Sequence, residues 1–386
     1  MVAGRSGIAP ITAFDTAGMS TKIAGEVKSF RPSDHFDAKR TRRISRFTAF
    51  AVVAAREAVA DAKLDIDEDN RDRVAVVVNA GVAGFDTIEA ATRQLVADRE
   101  PSSYFVPYSL ANMPSCEVAI DLGVHGPVNA NALACASGLY ALMDARRLIL
   151  AGEADVVVCG GTDAGITRSF MNGLSTMGAL SRRNDDPAGA SRPFDADREG
   201  FVLSEGAVVM VLESAEHARR RGATPYATVS GAALTCDAFH VSAPNPTGEY
   251  ATAAIRTAVQ RAAVAPDDID YVCAHGTSTK ANDRTETKAL RAAFGAAMDR
   301  IPVSSPKSTA GHLVGGAGAL GAMVCALAIR DGVVPPTINL NSPDPECDLD
   351  YVPNVARRLP VRTAMANAFG FGGQNCVVVF TAPDPL

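Results

Sequence analysis

The chain has 386 residues, of which 47% are hydrophobic and 21% charged. That composition is close to the average for globular proteins and excludes wholesale disorder, collagen and coiled coil; at about 150 residues per domain the length suits two to three folding units. The formal net charge of −6 argues against a general nucleic-acid or membrane-surface binder, so an acidic partner could meet only a local basic patch.

In chain order, residues 1–14 lack the cationic leader and apolar core of a secretory signal. The Ala-rich stretch 48–63, with charges at Arg56, Glu57 and Asp61, reads as a helix. Val-rich runs at 74–78, 156–159, 207–212, 269–274 and 377–380 read as short strands buried on both faces, as in parallel or mixed sheets covered by helices. Helical spacing recurs over 138–150, where Leu139, Leu142, Met143, Ala145, Leu148 and Ile149 share a face, and over 251–263. Alternating strands and helices predict an α/β layered fold. The apolar run 313–329 contains four glycines and is short for a membrane span, so it reads as a buried core helix. Residues 182–189 and 341–347 read as surface loops.

Eight cysteines form no C-x-x-C pair, so the common zinc and redox spacings are absent. Several sit in apolar runs and read as reduced thiols, which predicts a cytoplasmic protein.

Four segments carry residues capable of chemistry. Cys135, in Ala134-Cys135-Ala136-Ser137-Gly138, opens a helix, where the helix dipole favours thiolate. It reads as a nucleophile or as a small buried residue. His275, in His275-Gly276-Thr277-Ser278-Thr279, follows a buried strand, where α/β proteins place ligands; a capped turn would look the same. His312, in Lys307-Ser308-Thr309-Ala310-Gly311-His312, leads into the apolar helix. The last segment, Asn367-Ala368-Phe369-Gly370-Phe371-Gly372-Gly373-Gln374-Asn375, reads as a strained loop or a hairpin turn whose N–H groups could line an oxyanion hole. The Cys135 and His312 segments resemble each other, each a small-residue turn at a helix start. That predicts two related halves whose active groups meet between them.

With these motifs the chain resembles the β-ketoacyl-acyl-carrier-protein synthases, closest to the synthase II type, over essentially its whole length. The order and spacing fit: 140 residues separate Cys135 from His275 and 37 separate His275 from His312. Residues 188–195 and 334–340 add supporting matches. The resemblance implies an α/β thiolase-like fold, a duplicated αβαβα sandwich with two central mixed β-sheets. Residues 1–222 would form the half with the nucleophile, and 223–386 the half with the histidine pair and the Gly-Phe-Gly-Gly gate. It implies a homodimer that condenses malonyl and acyl thioesters with loss of CO₂ in fatty acid elongation. Alternatives are a polyketide or aryl-polyene ketosynthase, and a non-catalytic chain-length-factor-like subunit, against which Cys135 argues. A degradative thiolase is disfavoured by the second histidine.

The same resemblance assigns roles. Cys135 would hold the acyl chain. The N–H groups of Cys135 and Phe371 would form the oxyanion hole. His275 and His312 would donate from Nε2 to the malonyl thioester oxygen, and Lys307 would set the electrostatics around His312. Thr277, Thr279 and Gly372 would bind substrate, the two threonines through the phosphopantetheine arm, and Leu110 would gate the acyl pocket. Asp283 and Glu286 would support the site, with Glu286 reaching Lys307. No cofactor is implied, because the phosphopantetheine arm arrives on the acyl carrier protein. That protein is acidic, and the run 39–46 supplies five positive charges; Lys39, Arg42 and Arg43 match carrier-docking positions, with Arg183 a further candidate. Many relatives have Glu at Gly321 and Asn at Cys273, positions of a buried monovalent-cation site in some members, so no metal is expected. In relatives the segment resembling 2–8 follows a buried strand and a helix, so a strand–helix unit of roughly 30 residues is expected upstream of Met1 in the natural protein.

Overall fold

The computed structural model describes residues 1–383. A first mixed sheet holds β1 (Val74–Ala80), β2 (Val128–Asn129), β3 (Val156–Asp163) and β4 (Gly206–Glu213) in the order β2-β1-β3-β4. β1 is parallel to β2 and β3, and β4 is antiparallel to β3. The second sheet holds β5 (Thr228–Cys236), β6 (Tyr271–Cys273), β7 (Val303–Ser304), β8 (Thr363–Gly370) and β9 (Gln374–Thr381) in the order β5-β9-β8-β6-β7. There β6 is parallel to β7 and β8, while β9 is antiparallel to β8. The run β7-β6-β8-β9 therefore repeats β2-β1-β3-β4, which is the duplication expected.

Alternation along the strands builds three cores. In β1, Val74, Val76 and Val78 point to one side of the sheet and Ala75 and Val77 to the other. The first set packs under α1 (Arg46–Asp61) and α2 (Met113–Leu122), through Ala49, Val52 and Val118. The second set meets α3 (Ser137–Leu150), whose Leu139, Leu142 and Ala145 recur at helical spacing. In the second sheet Val272, Val377 and Val379 pack under α4 (Glu249–Arg261) and α5 (Lys280–Phe294). Tyr271, Cys273, Cys376 and Val378 face inward, against α6 (Gly315–Asp331), which lies beside α3. The result is five layers: α1/α2, sheet, α3/α6, sheet, α4/α5.

Small residues make the central layer possible. A Cβ at Gly138 in α3 would stand 2.4 Å from the Gly315 carbonyl oxygen at the start of α6. The two helices thus meet backbone to backbone at their N-terminal ends, which no larger side chain would permit. That contact brings the residues just ahead of each helix together.

The outer edge of β4 occupies the place that β5 borders in the second sheet, and among the described residues it has no strand partner. Ala207–Glu213 are accordingly half-buried, whereas Asn375–Phe380 of β9 are buried. Four strands, β2, β5, β7 and β8, were not expected from the sequence. The predicted strand 269–274 is regular only over Tyr271–Cys273. The segment 367–375 is a hairpin, with strand on both sides of the turn at 371–373.

Candidate active site

Cys135 sits in a single tight turn, 134–136, between β2 and α3. Ala134 adopts φ +46, a left-handed conformation uncommon for a non-glycine residue. The Ser137 hydroxyl accepts the Leu133 N–H at 2.9 Å and closes the turn. Cys135 is 7% exposed, and its sulfur faces the backbone N–H groups of Phe371 and of Cys135 itself. Burial pushes its thiol up to about 11, opposed by the Lys307 charge and reinforced by Asp163. Burial thus works against the thiolate expected from the helix start, because it disfavours the charged form, and favours a resting thiol.

His275 follows β6. Its backbone N–H and that of Gly276 donate to the two carboxylate oxygens of Glu286 in α5, both at 2.8 Å. Glu286 also accepts from the Asn367 amide at 3.0 Å. The expectation that Glu286 reaches Lys307 fails, because the backbone amides and Asn367 hold both its oxygens. Lys307 is buried and donates instead to the His275 carbonyl at 2.5 Å, with its Nζ 3.4 Å from His275 Nδ1. Its direct contact is thus with His275 rather than with His312.

His312 is fixed through its backbone, which bonds Val202 O at 2.8 Å and Ser204 N at 3.0 Å. Its Nδ1 accepts the Val314 N–H at 3.3 Å. The Phe201 ring stands edge-on to it, and the two imidazoles lie 5.5 Å apart, centroid to centroid, at 82°. Burial holds both histidines well below the usual imidazole range, helped by the Lys307 charge. Both rings are therefore neutral. With Nδ1 facing a donor in each, the proton belongs on Nε2, and each ring keeps one N–H free to donate.

Cys135, His275, His312, Thr277, Thr279 and Phe371 line one cavity of about 560 Å³. Thr277 and Thr279 hydroxyls bond each other at 2.9 Å. Phe371 is 37% exposed at the mouth. Five of the predicted catalytic, substrate-binding and supporting residues are not part of this wall: Lys307 and Glu286, which stand behind His275, and Leu110, Gly372 and Asp283. Leu110 is 47% exposed and outside the cavity, at the end of the short helix Phe105–Ser109. Gly372 donates its N–H to Val241 O at 2.9 Å, so that group is not available to a substrate. Asp283 is buried against Arg198, 3.1 Å away, and the Phe194 N–H, so it braces the loop at 194–198. The side chains at Gly321 and Cys273 offer no oxygen to a hard cation, which prefers oxygen ligands: glycine has no side chain, and the free Cys273 thiol faces the free Cys325 thiol.

Of the basic run 39–46, Arg40 bonds Glu117 and Asp121, and Arg46 bonds Glu205. Arg43 lies over the Tyr104 ring and donates to its hydroxyl at 3.1 Å. Lys39 and Arg42 are exposed. Arg183 donates to Asp197 O at 3.3 Å. Sequence reasoning missed Phe201 and Asp163, and named Phe369 only as part of the segment 367–375. An acidic residue closing an apolar strand at the same sheet edge as Cys135 was the signal for Asp163.

A neutral thiol, two neutral imidazoles and converging N–H groups in one pocket between duplicated halves define a thiolase-fold condensing enzyme. Residues 1–218 match the family of beta-ketoacyl synthase N-terminal domains and residues 226–341 that of the C-terminal domains. The chain belongs to the β-ketoacyl synthase family. It is 46% identical over 383 residues to a 3-oxoacyl-[acyl-carrier-protein] synthase 2 of Synechocystis, covering 98% of this chain and 92% of the relative. A protein of the same name from Staphylococcus aureus is 46% identical over 379 residues, covering 98% and 91%. Among solved structures, a beta-ketoacyl synthase from Burkholderia phymatum superposes with a TM-score of 0.92 at 32% identity, over 99% of this chain and 94% of the other. The ishigamide ketosynthase/chain length factor gives 0.91 at 37% identity, over 99% and 93%. A type II PKS acyl-carrier protein in complex with its ketosynthase gives 0.91 at 30%, over 99% and 93%.

Proposed function

We propose that this chain is a 3-oxoacyl-[acyl-carrier-protein] synthase of fatty acid elongation. The observation that carries the reading is the pairing of the Cys135 thiol with two neutral histidines whose Nε2–H donors are free. In the first half-reaction Cys135 sulfur attacks the acyl thioester. The backbone N–H groups of Cys135 and Phe371 hold the oxyanion, and the thiol proton ends on the departing carrier thiol. In the second, malonyl thioester loses CO₂. The Nε2–H groups of His275 and His312 stabilise the enolate oxygen, and the enolate carbon attacks the Cys135 thioester. The tetrahedral intermediate expels the Cys135 sulfur, which takes up one proton and returns to thiol. The chain supplies no cofactor, since the phosphopantetheine arm comes on the carrier protein and passes Thr277 and Thr279.

The acyl carrier protein meets the face of Lys39, Arg42 and Arg43, with Arg183 a candidate at its margin; exposed cations suit an acidic partner. A second copy of the chain covers apolar side chains that stand in solvent over residues 88–110, Val96 and Val106 among them. A cytoplasmic location fits eight free cysteines. The 46% identity to synthase 2 proteins supports fatty acid elongation over a polyketide pathway, and Cys135 speaks against a non-catalytic subunit.

Incubation with an acyl donor, followed by peptide mapping, places the adduct on Cys135. Cys135→Ala abolishes it, and Cys135→Gln still releases CO₂ from malonyl carrier, because a side-chain amide can stand where the acyl thioester does. Acyl transfer that survives in Cys135→Ala overturns the reading.

A further inference from the structure

Asp163 closes β3 and is completely buried. Four backbone N–H groups converge on its carboxylate. Oδ2 accepts from Gly81 at 3.0 Å and Gly315 at 2.6 Å; Oδ1 accepts from Val82 at 2.9 Å and Ala83 at 3.3 Å. The donors come from both halves of the molecule. Residues 81–83 follow β1 of the first sheet, and Gly315 opens α6.

Both segments are strained beside this carboxylate. Ala83 has φ +61, and Val314, a β-branched residue, has φ +49. Such conformations persist only where the surroundings over-determine them, and they cluster at functional sites. Val314 is the residue whose N–H meets His312 Nδ1, so the turn that Asp163 holds at Gly315 is the turn that sets the His312 ring. The link to the nucleophile is looser. A Cβ at Gly81 would stand 2.7 Å from Ala134 O, a packing contact only, while Ser137 closes the Cys135 turn independently.

We propose that Asp163 is a positioning residue of the condensing site, whose carboxylate locks the Val314–Gly315 turn across the two halves and thereby aims the Nε2–H of His312. This rests on the condensing reading above. It separates the two half-reactions: loss of the carboxylate should disturb the enolate donor and leave the acyl site in place. Burial raises the Asp163 carboxyl to about 7, so near neutral pH it is only partly ionised; to that extent it opposes the Cys135 thiolate, and its loss acts in the direction opposite to general damage.

The test is Asp163→Asn, which keeps the size but turns an NH₂ group toward N–H donors. Acylation of Cys135 should stay within threefold of wild type or rise. The condensation kcat with malonyl carrier should fall at least tenfold, as should CO₂ release in a Cys135→Gln background. Should D163N prove insoluble, D163S, which is smaller and carries no opposed N–H, is read by the same two rates. Condensation within threefold of wild type overturns the proposal. So does a parallel loss of acylation and condensation, which would make Asp163 a scaffold residue. A wild-type protein that does not acylate Cys135 instead sinks the condensing reading on which this stands.

Discussion

Two imidazoles packed 5.5 Å apart beside a buried lysine must both stay uncharged. Their folded pKa values lie well below the ordinary value of about 6.5, so the unfolded chain binds protons that the folded chain refuses. Their contribution to stability is complete above about pH 6.5 and is lost as pH falls below it, with a limiting slope of about 2.7 kcal/mol per pH unit for two groups. Asp163, Asp283 and Glu286 act the other way, because burial raises their pKa values. The clean measurement is therefore a difference: urea midpoints of wild type and His275→Gln from pH 7.5 to 5. The variant should lose less stability over that range, and an equal loss would show that His275 titrates normally. Cys135, His275 and His312 were legible in the sequence because each stands in a small-residue turn. Asp163 was not, because Gly160 and Gly161 look like the end of the Val156 strand. Their Cβ positions explain the glycines: one would stand 2.0 Å from Val208 O and the other 2.2 Å from Gly315 O, so the strand continues through them.

Among the elements, the stretch 39–46 leading into α1 shows that a run of like charges is not one surface. Lys39→Glu, Arg42→Glu, Arg43→Glu should raise KM for carrier-bound substrate and leave turnover of a small thioester mimic unchanged. Exposed pairs contribute about 0.2–1 kcal/mol each, so the single changes should be mild. Equal loss on both substrates would assign these residues to the fold. Arg40→Ala should behave differently, because it leaves Glu117 and Asp121 short of a partner. The expected cost is about 1–3 kcal/mol in a denaturation curve, with Arg56 still holding Asp121 at 2.7 Å. Val-rich strands could be read directly, but β8 could not. Its Ala364, Ala366 and Ala368 carry no β signal; they are small because they face α6 across the central layer. Strand identity there comes from neighbours on both sides, β9 and β6, not from local preference.

At the scale of the molecule, duplication was visible only as two similar turns, and the five layers give its physical content. Each half carries part of the site at the N-terminal end of a central helix, and the glycine contact between α3 and α6 joins them. Gly138→Ala should therefore reach beyond its own helix. The added methyl would stand 2.4 Å from Gly315 O, and overpacking of this kind costs about 1–3 kcal/mol. Condensation should fall with the melting temperature, and an unchanged melting temperature would mean that the seam can open without loss. The seam also sets a clock. Cys135 leaves the ribosome 177 residues ahead of His312 (312 − 135), which at roughly 5–20 residues per second is about 9–35 s of synthesis. Until the second half arrives, the thiol lacks Val314 and the Phe371 turn, part of the surroundings in which burial raises its pKa to about 11. The nucleophile is thus most exposed to oxidants and alkylating agents while the protein is being made, and best protected once it is complete.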